Sequence, residues 1–188
     1  MRPFLFHLCP LDLRDATIYP LNELRTRHPE LYLRERRKWE GRESVLDVEI
    51  PHLGCTWGDT VNLATIDPRR LIAAREEIGL PRSRLLARRL VRIPMERIAG
   101  RAAVVYDCSR HWINSRPGAG DADASPLETD FEPFDSARYE ELTAVPPAHT
   151  DYLREQRRAE EAALGFVFVP HVLVRGAIPV SDLVLESV

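Results

Sequence analysis

Lysine is nearly missing from this chain. Of 26 basic residues, Lys38 is the one lysine and the other 25 are arginines. Cysteine is scarce too. Cys9, Cys55 and Cys108 are an odd number at wide spacing, which does not read as a disulfide framework. No apolar run approaches the roughly 20 residues that span a bilayer, and the run near the start is too short for a secretory leader. A cytoplasmic protein with reduced thiols is the expectation. A basic surplus is also lacking: the net charge is −3 and the pI near 6.1. Proteins that bind nucleic acid mainly through phosphates carry such a surplus, so overall charge gives that role no support, and only a local basic groove would allow it. Several catalytic fingerprints are absent: GxSxG, HExxH, paired CxxC, a Walker loop and a dinucleotide glycine motif.

What is present fits one domain. A length of 188 residues supports a single core, and 44% hydrophobic with 29% charged residues is ordinary for a globular protein. "FLFHLC" (4–9) reads as a first, buried strand ended by Pro10. Helical patterning follows, broken by prolines at 20, 29 and 51, so several short helices are expected. "HLGCTWGDTVNLATIDPRR" reads as a turn-rich connector. The clearest helix opens on Asp67 as cap and Pro68 as first residue, and closes at Gly79 and Pro81. Residues 89–98 and 102–108 read as strands, 115–135 as a mobile surface loop, and "ARYEELT" with residues 147–165 as helix. "FVFVP", "HVLVRG" and the closing "IPVSDLVLESV" read as strands. This order predicts an α+β fold with a mostly antiparallel sheet.

Three clusters could carry chemistry. His7 ends the first apolar strand, where a neutral imidazole can bond a ligand hydroxyl or amide; a core histidine at a strand edge is the plain alternative. In "KWEGRE…IPHLGCTWGDTVNLA", Lys38 and Arg42 share a helix face if the helix runs past Gly41, and two cations there suit a phosphate or carboxylate. Glu43, Asp59 and Asn62 add polar anchors, and Trp57 or Trp39 a ring for stacking. In "FVFVPHVLVRGAIP", Pro170 interrupts an apolar stretch, so His171 needs a partner or a ligand, and Arg175 follows near a turn. A metal site built from His7, Cys9 and His171 is a competitor without ligand spacing to favour it.

The string "KWEGRE…IPHLGCTWGDTVNLATIDP", with the late "VPHVLVRGAI", resembles a group of small uncharacterised bacterial proteins. The layout is also similar to that of DarT-type ADP-ribosyltransferases, which modify DNA thymidine with NAD. In those a histidine closes the first strand, as His7 does here, and a late strand with an apolar tail resembles "VLVRGAIP". The pattern departs where the family's catalytic glutamate would stand, because His171 occupies that place. The resemblance therefore implies an ADP-ribosyltransferase-like fold and a pocket for NAD or another nucleotide, and does not imply the reaction.

The expectation is an enzyme, a transferase or glycosidic-bond-cleaving hydrolase, with His171, Lys38 and His7 as catalytic groups. His171 would act as general acid or base with an ordinary pKa. Arg42, Glu43, Trp57, Asp59, Asn62 and Arg175 would bind the ligand. The alternative is a regulatory or toxin–antitoxin-type binding protein without turnover.

Overall fold

"FLFHLC" does form a strand. A computed structural model of the protein describes residues 3–41, 43–81, 88–108, 126, 128–136, 139, 143–160 and 163–188. Strand β1 (Phe4–Cys9) places Leu5 and Cys9 at 0% exposure. It pairs along its whole length with β6 (Arg89–Pro94), in a register that sets Phe4 against Pro94 and Cys9 against Arg89. The remaining large-sheet strands are β5 (Thr60–Ala64), β7 (Ala103–Tyr106), β8 (Phe131–Pro133), β9 (His171–Arg175) and β11 (Leu185–Ser187). The seven run in the order β11-β6-β1-β5-β9-β7-β8, and every pairing is antiparallel. Two small ladders flank the sheet: β2 (Thr17–Ile18) with β10 (Ile178–Pro179), and β3 (Glu49–Ile50) with β4 (Cys55–Thr56).

Four α-helices are among the described residues: α1 (Leu21–Arg27), α2 (Pro29–Arg36), α3 (Pro68–Glu77) and α4 (Pro147–Ala159). The α3 start is as its sequence predicts. The Asp67 carboxylate accepts from the Arg69 N–H at 2.9 Å, and Pro68 occupies a position that needs no donor. The fold is thus α+β, one domain over one large sheet. The main core lies against the sheet centre and includes Leu5, Leu63, Val91, Ile93, Val172 and Val174, all fully buried.

Four expectations need correction. "TVNLA" is not connector but β5, the middle strand of the seven; glycines and turn residues before it obscured a five-residue run with Val61 and Leu63 buried. "FVFVP" is not a strand. Residues 165–168 turn, with Phe168 in the left-handed region at φ 58°, and Phe166 and Phe168 pack into clusters beside the sheet. The 89–98 strand stops at Pro94, after which Met95–Arg97 form a 3₁₀ turn. Part of the expected 115–135 loop is ordered edge structure: Phe131–Pro133 pair with β7, and the buried Phe131 ring packs on Tyr106. Residues 115–125 and 127, and most of "ARYEELT", lie outside the described residues.

Candidate functional site

Between β1 and β5 the sheet opens. Their single registered pair is Phe6 with Ala64. One residue further along β1, the His7 Nδ1–H lies 2.9 Å from the Asn62 carbonyl and donates to it, a side chain standing in for the next rung. A cleft of about 520 Å³ sits here, within the range of small-molecule sites. Its apolar wall includes Phe6, Leu13, Ile18, Leu24, Leu31 and Phe166. His7, Asn62, His171, Lys38, Trp39, Glu35 and Arg88 supply its polar surface.

The two histidines are neutral at ordinary pH. Burial pulls His7 down to about 4, against the opposing Asn62 hydrogen bond, and the charges of Lys38 and Arg88 push the same way. With the proton on Nδ1, His7 Nε2 is an acceptor. Burial likewise brings His171 to about 4, although a hydrogen bond to the Val169 backbone and the Asp107 charge resist it. The expected ordinary pKa for His171 is therefore wrong, because a ring set against Phe166 at 5.9 Å is poorly hydrated as a cation. Register places His171 in one row with Ala64 and Phe6 across three strands. At the usual spacing His171 is then about 10 Å from Phe6 and on the same face of the sheet, the face opposite to the one His7 takes, so the two imidazoles line one cleft only where β1 and β5 part.

The other end of the cleft is charged. Glu35, 9% exposed, is the sole carboxylate among its described lining residues. It sits on the last turn of α2, and Lys38, three residues later on the 3₁₀ turn Arg37–Trp39, donates to its Oε2. Arg88, just before β6, meets the same carboxylate fork to fork, Nη1 to Oε2 at 3.2 Å and Nη2 to Oε1 at 3.4 Å. Arg34 Nε is 3.5 Å from Oε1, but its guanidinium is doubly bonded to Asp12. Burial alone would raise the Glu35 pKa; Lys38 and Arg88 overcome it and hold the carboxyl below the usual range. The Lys38 side chain keeps 44% of its surface, yet desolvation outweighs Glu35 and lowers the ammonium's pKa.

Of the other expected ligand-binding residues that are described, Asn62 alone lines the cleft. The helix does not run on to Gly41, which turns the chain at φ 80° after the 3₁₀ turn, and Arg42 lies outside the described residues. Glu43 is exposed at the start of the 3₁₀ segment Glu43–Asp47 and does not line the cleft. Trp57 is core: it is 6% exposed and edge-on to Trp39, Tyr106 and Phe131. Asp59 is a cap. Its Oδ2 accepts from the Thr56 N–H at 3.0 Å and hydroxyl at 2.8 Å, and its Oδ1 from Asn22 at 2.8 Å. Arg175 lies at the far end of β9 from His171 and donates to the Leu53 carbonyl at 3.2 Å. Asn62 reaches the cleft, but its carbonyl is taken by His7 and its Oδ1 accepts from Thr60 at 3.3 Å.

Cys9 is no ready metal ligand, since burial pushes its thiol up to about 12 and the metal ligand is the thiolate. Among the described residues no three His, Cys, Asp or Glu side chains gather as metal ligands. Nor is any described helix long and apolar enough to cross a membrane.

Glu35 and Arg88 are the site residues that sequence reading missed. Glu35 carried a signal, its i,i+3 spacing from Lys38; Arg88 carried none, since it arrives only through the β1–β6 pairing. Comparison of the chain with protein-family models, with curated proteins and with solved structures finds no match in any of the three.

Proposed function

We propose that the cleft binds a nucleotide or NAD-like ligand, in keeping with the ADP-ribosyltransferase-like pattern of the sequence. One observation carries this reading: a single cavity of about 520 Å³ joins an apolar wall, two neutral imidazoles and a cation-rich end. His7 Nε2 would accept from a ribose hydroxyl or carboxamide N–H. Trp39 would stack on a ring. His171, neutral, would take a proton from an attacking hydroxyl or water in a transferase or glycosidic-bond-cleaving reaction. Thermal melting with millimolar NAD, ATP, ADP-ribose and adenosine tests it. Ligand at a hundred times its Kd adds about 2.7 kcal/mol, which for a chain of this size raises Tm by roughly 5–10 °C. No shift with any of them would refute the reading.

A second reading, regulatory binding without turnover, is favoured by one fact. Neither cleft histidine titrates near neutrality, and the one described lining carboxylate is engaged by Lys38 and Arg88. Nicotinamide release from NAD separates the two: wild-type turnover that His171→Gln abolishes, with binding kept, belongs to an enzyme.

A further inference from the structure

The charged end of the cleft does not treat its two cations alike. Arg88 holds Glu35 through two roughly parallel bonds, and its side chain is 21% exposed. A planar guanidinium fixed in this way has its donors committed by geometry. Lys38 meets the same carboxylate through one ammonium nitrogen and is 44% exposed. Its three donors can rotate, and its four-carbon stem lets it exchange one acceptor for another. Among the described contacts Lys38 and Arg88 meet one carboxylate, while Arg34 is held by two bonds to Asp12. Beside these two cations runs the apolar wall, which offers nothing to an anion and much to an uncharged ring.

We infer that the Glu35–Lys38–Arg88 cluster is an anion subsite for one phosphoryl group of the ligand, with Lys38 as the exchanging donor and the Arg88–Glu35 pair as its fixed platform. This rests on the nucleotide reading above and gives it a direction: phosphate at the α2 end, base or ribose toward Phe166 and His171. It also assigns Lys38 a property that arginine lacks. An arginine at 38 would keep the charge, but its fork would lock side-on to Glu35 in competition with Arg88 and would not release to an incoming oxygen.

The test is calorimetric titration of wild type, Lys38→Arg and Arg88→Gln with adenosine, ADP-ribose and inorganic pyrophosphate, at low and at physiological salt. Melting curves without ligand confirm that each variant folds. Wild type is expected to bind ADP-ribose at least tenfold tighter than adenosine, with that advantage shrinking in salt. Lys38→Arg is expected to lose most of the advantage and to leave adenosine affinity unchanged. If Lys38→Arg keeps the full phosphate advantage, the exchanging-donor role is overturned. If wild type binds adenosine and ADP-ribose equally, the subsite is overturned while the nucleotide reading stands. Should adenosine and ADP-ribose both fail to bind while pyrophosphate binds and responds to Lys38→Arg, the subsite stands and the nucleotide reading falls. Failure of all three probes overturns both. Arg88→Gln serves if Lys38→Arg misfolds, and is expected to weaken pyrophosphate binding at least tenfold.

Discussion

Glu35 has 9% of its surface exposed, and three cationic side chains approach its two oxygens. Removing its charge leaves Lys38 and Arg88 repelling each other in a half-buried site. Glu35→Gln is expected to cost about 2 kcal/mol, discounted from the value for a fully buried pair because Lys38 is partly hydrated, and chemical denaturation measures it. The histidines give a second prediction at this scale. Folded His7 and His171 hold protons only near pH 4, whereas unfolded histidine does so near 6.5. Between those values the unfolded chain binds more protons, so stability is complete above pH 6.5 and falls as pH drops toward 4. The loss is at most about 3 kcal/mol per histidine. Glu35 and Asp59, both held below their usual range, add their own loss only below about pH 4.5, so the range above that reports the histidines. Melting profiles from pH 7 to 4.5 should flatten in the His7→Gln, His171→Gln double variant. An unchanged slope would mean that these rings are solvated in the fold. Half of this site was legible from residue types. His7, Lys38 and His171 are uncommon where they stand, one lysine among arginines and two imidazoles in apolar strands. Trp57 and Asp59 are equally uncommon, but the fold uses them for packing and capping, a distinction that residue identity does not encode.

At the scale of elements, short 3₁₀ turns do the positioning. α2 ends at Arg36, the 3₁₀ turn Arg37–Trp39 follows, and the change of helical pitch directs Lys38 and Trp39 to the cleft. The turn Trp57–Asp59 is closed by the reciprocal bonds of Thr56 and Asp59, with Asn22 tying it to α1. Asp59→Ala removes these and is expected to cost about 1 kcal/mol or somewhat more. Nucleotide affinity should not change, because Asp59 does not line the cleft; a large affinity loss at equal stability would return Asp59 to the site. The elements that sequence reading found were those with local punctuation: β1 before Pro10, and α3 between Asp67 and Gly79. Those it missed were decided at a distance. β5 is a strand because β1 and β9 flank it, and "FVFVP" turns because Phe166 and Phe168 are worth more packed beside the sheet than paired in it.

For the whole molecule, β9 is the keystone of the sheet. It pairs with β5 and β7, and Val172, Leu173 and Val174 are all at 0% exposure. Leu173→Ala is expected to cost 2–5 kcal/mol, whereas Val184→Ala, at a residue 74% exposed, should stay within about 0.5 kcal/mol of wild type. Urea unfolding of both variants, followed in parallel by tryptophan fluorescence and far-ultraviolet circular dichroism, measures this. Coincident transitions would show that the two halves of the sheet melt together.

The same strand order bears on how the protein is made. Each residue of β9 meets a β5 partner more than a hundred positions earlier in the chain. During synthesis β1, β5, β6 and β7 leave the ribosome well before β9, and two of them wait with an apolar edge unpaired. For that interval the nascent chain is exposed to strand addition from its neighbours. The cleft, which needs both β5 and His171, cannot hold a ligand until the wait is over.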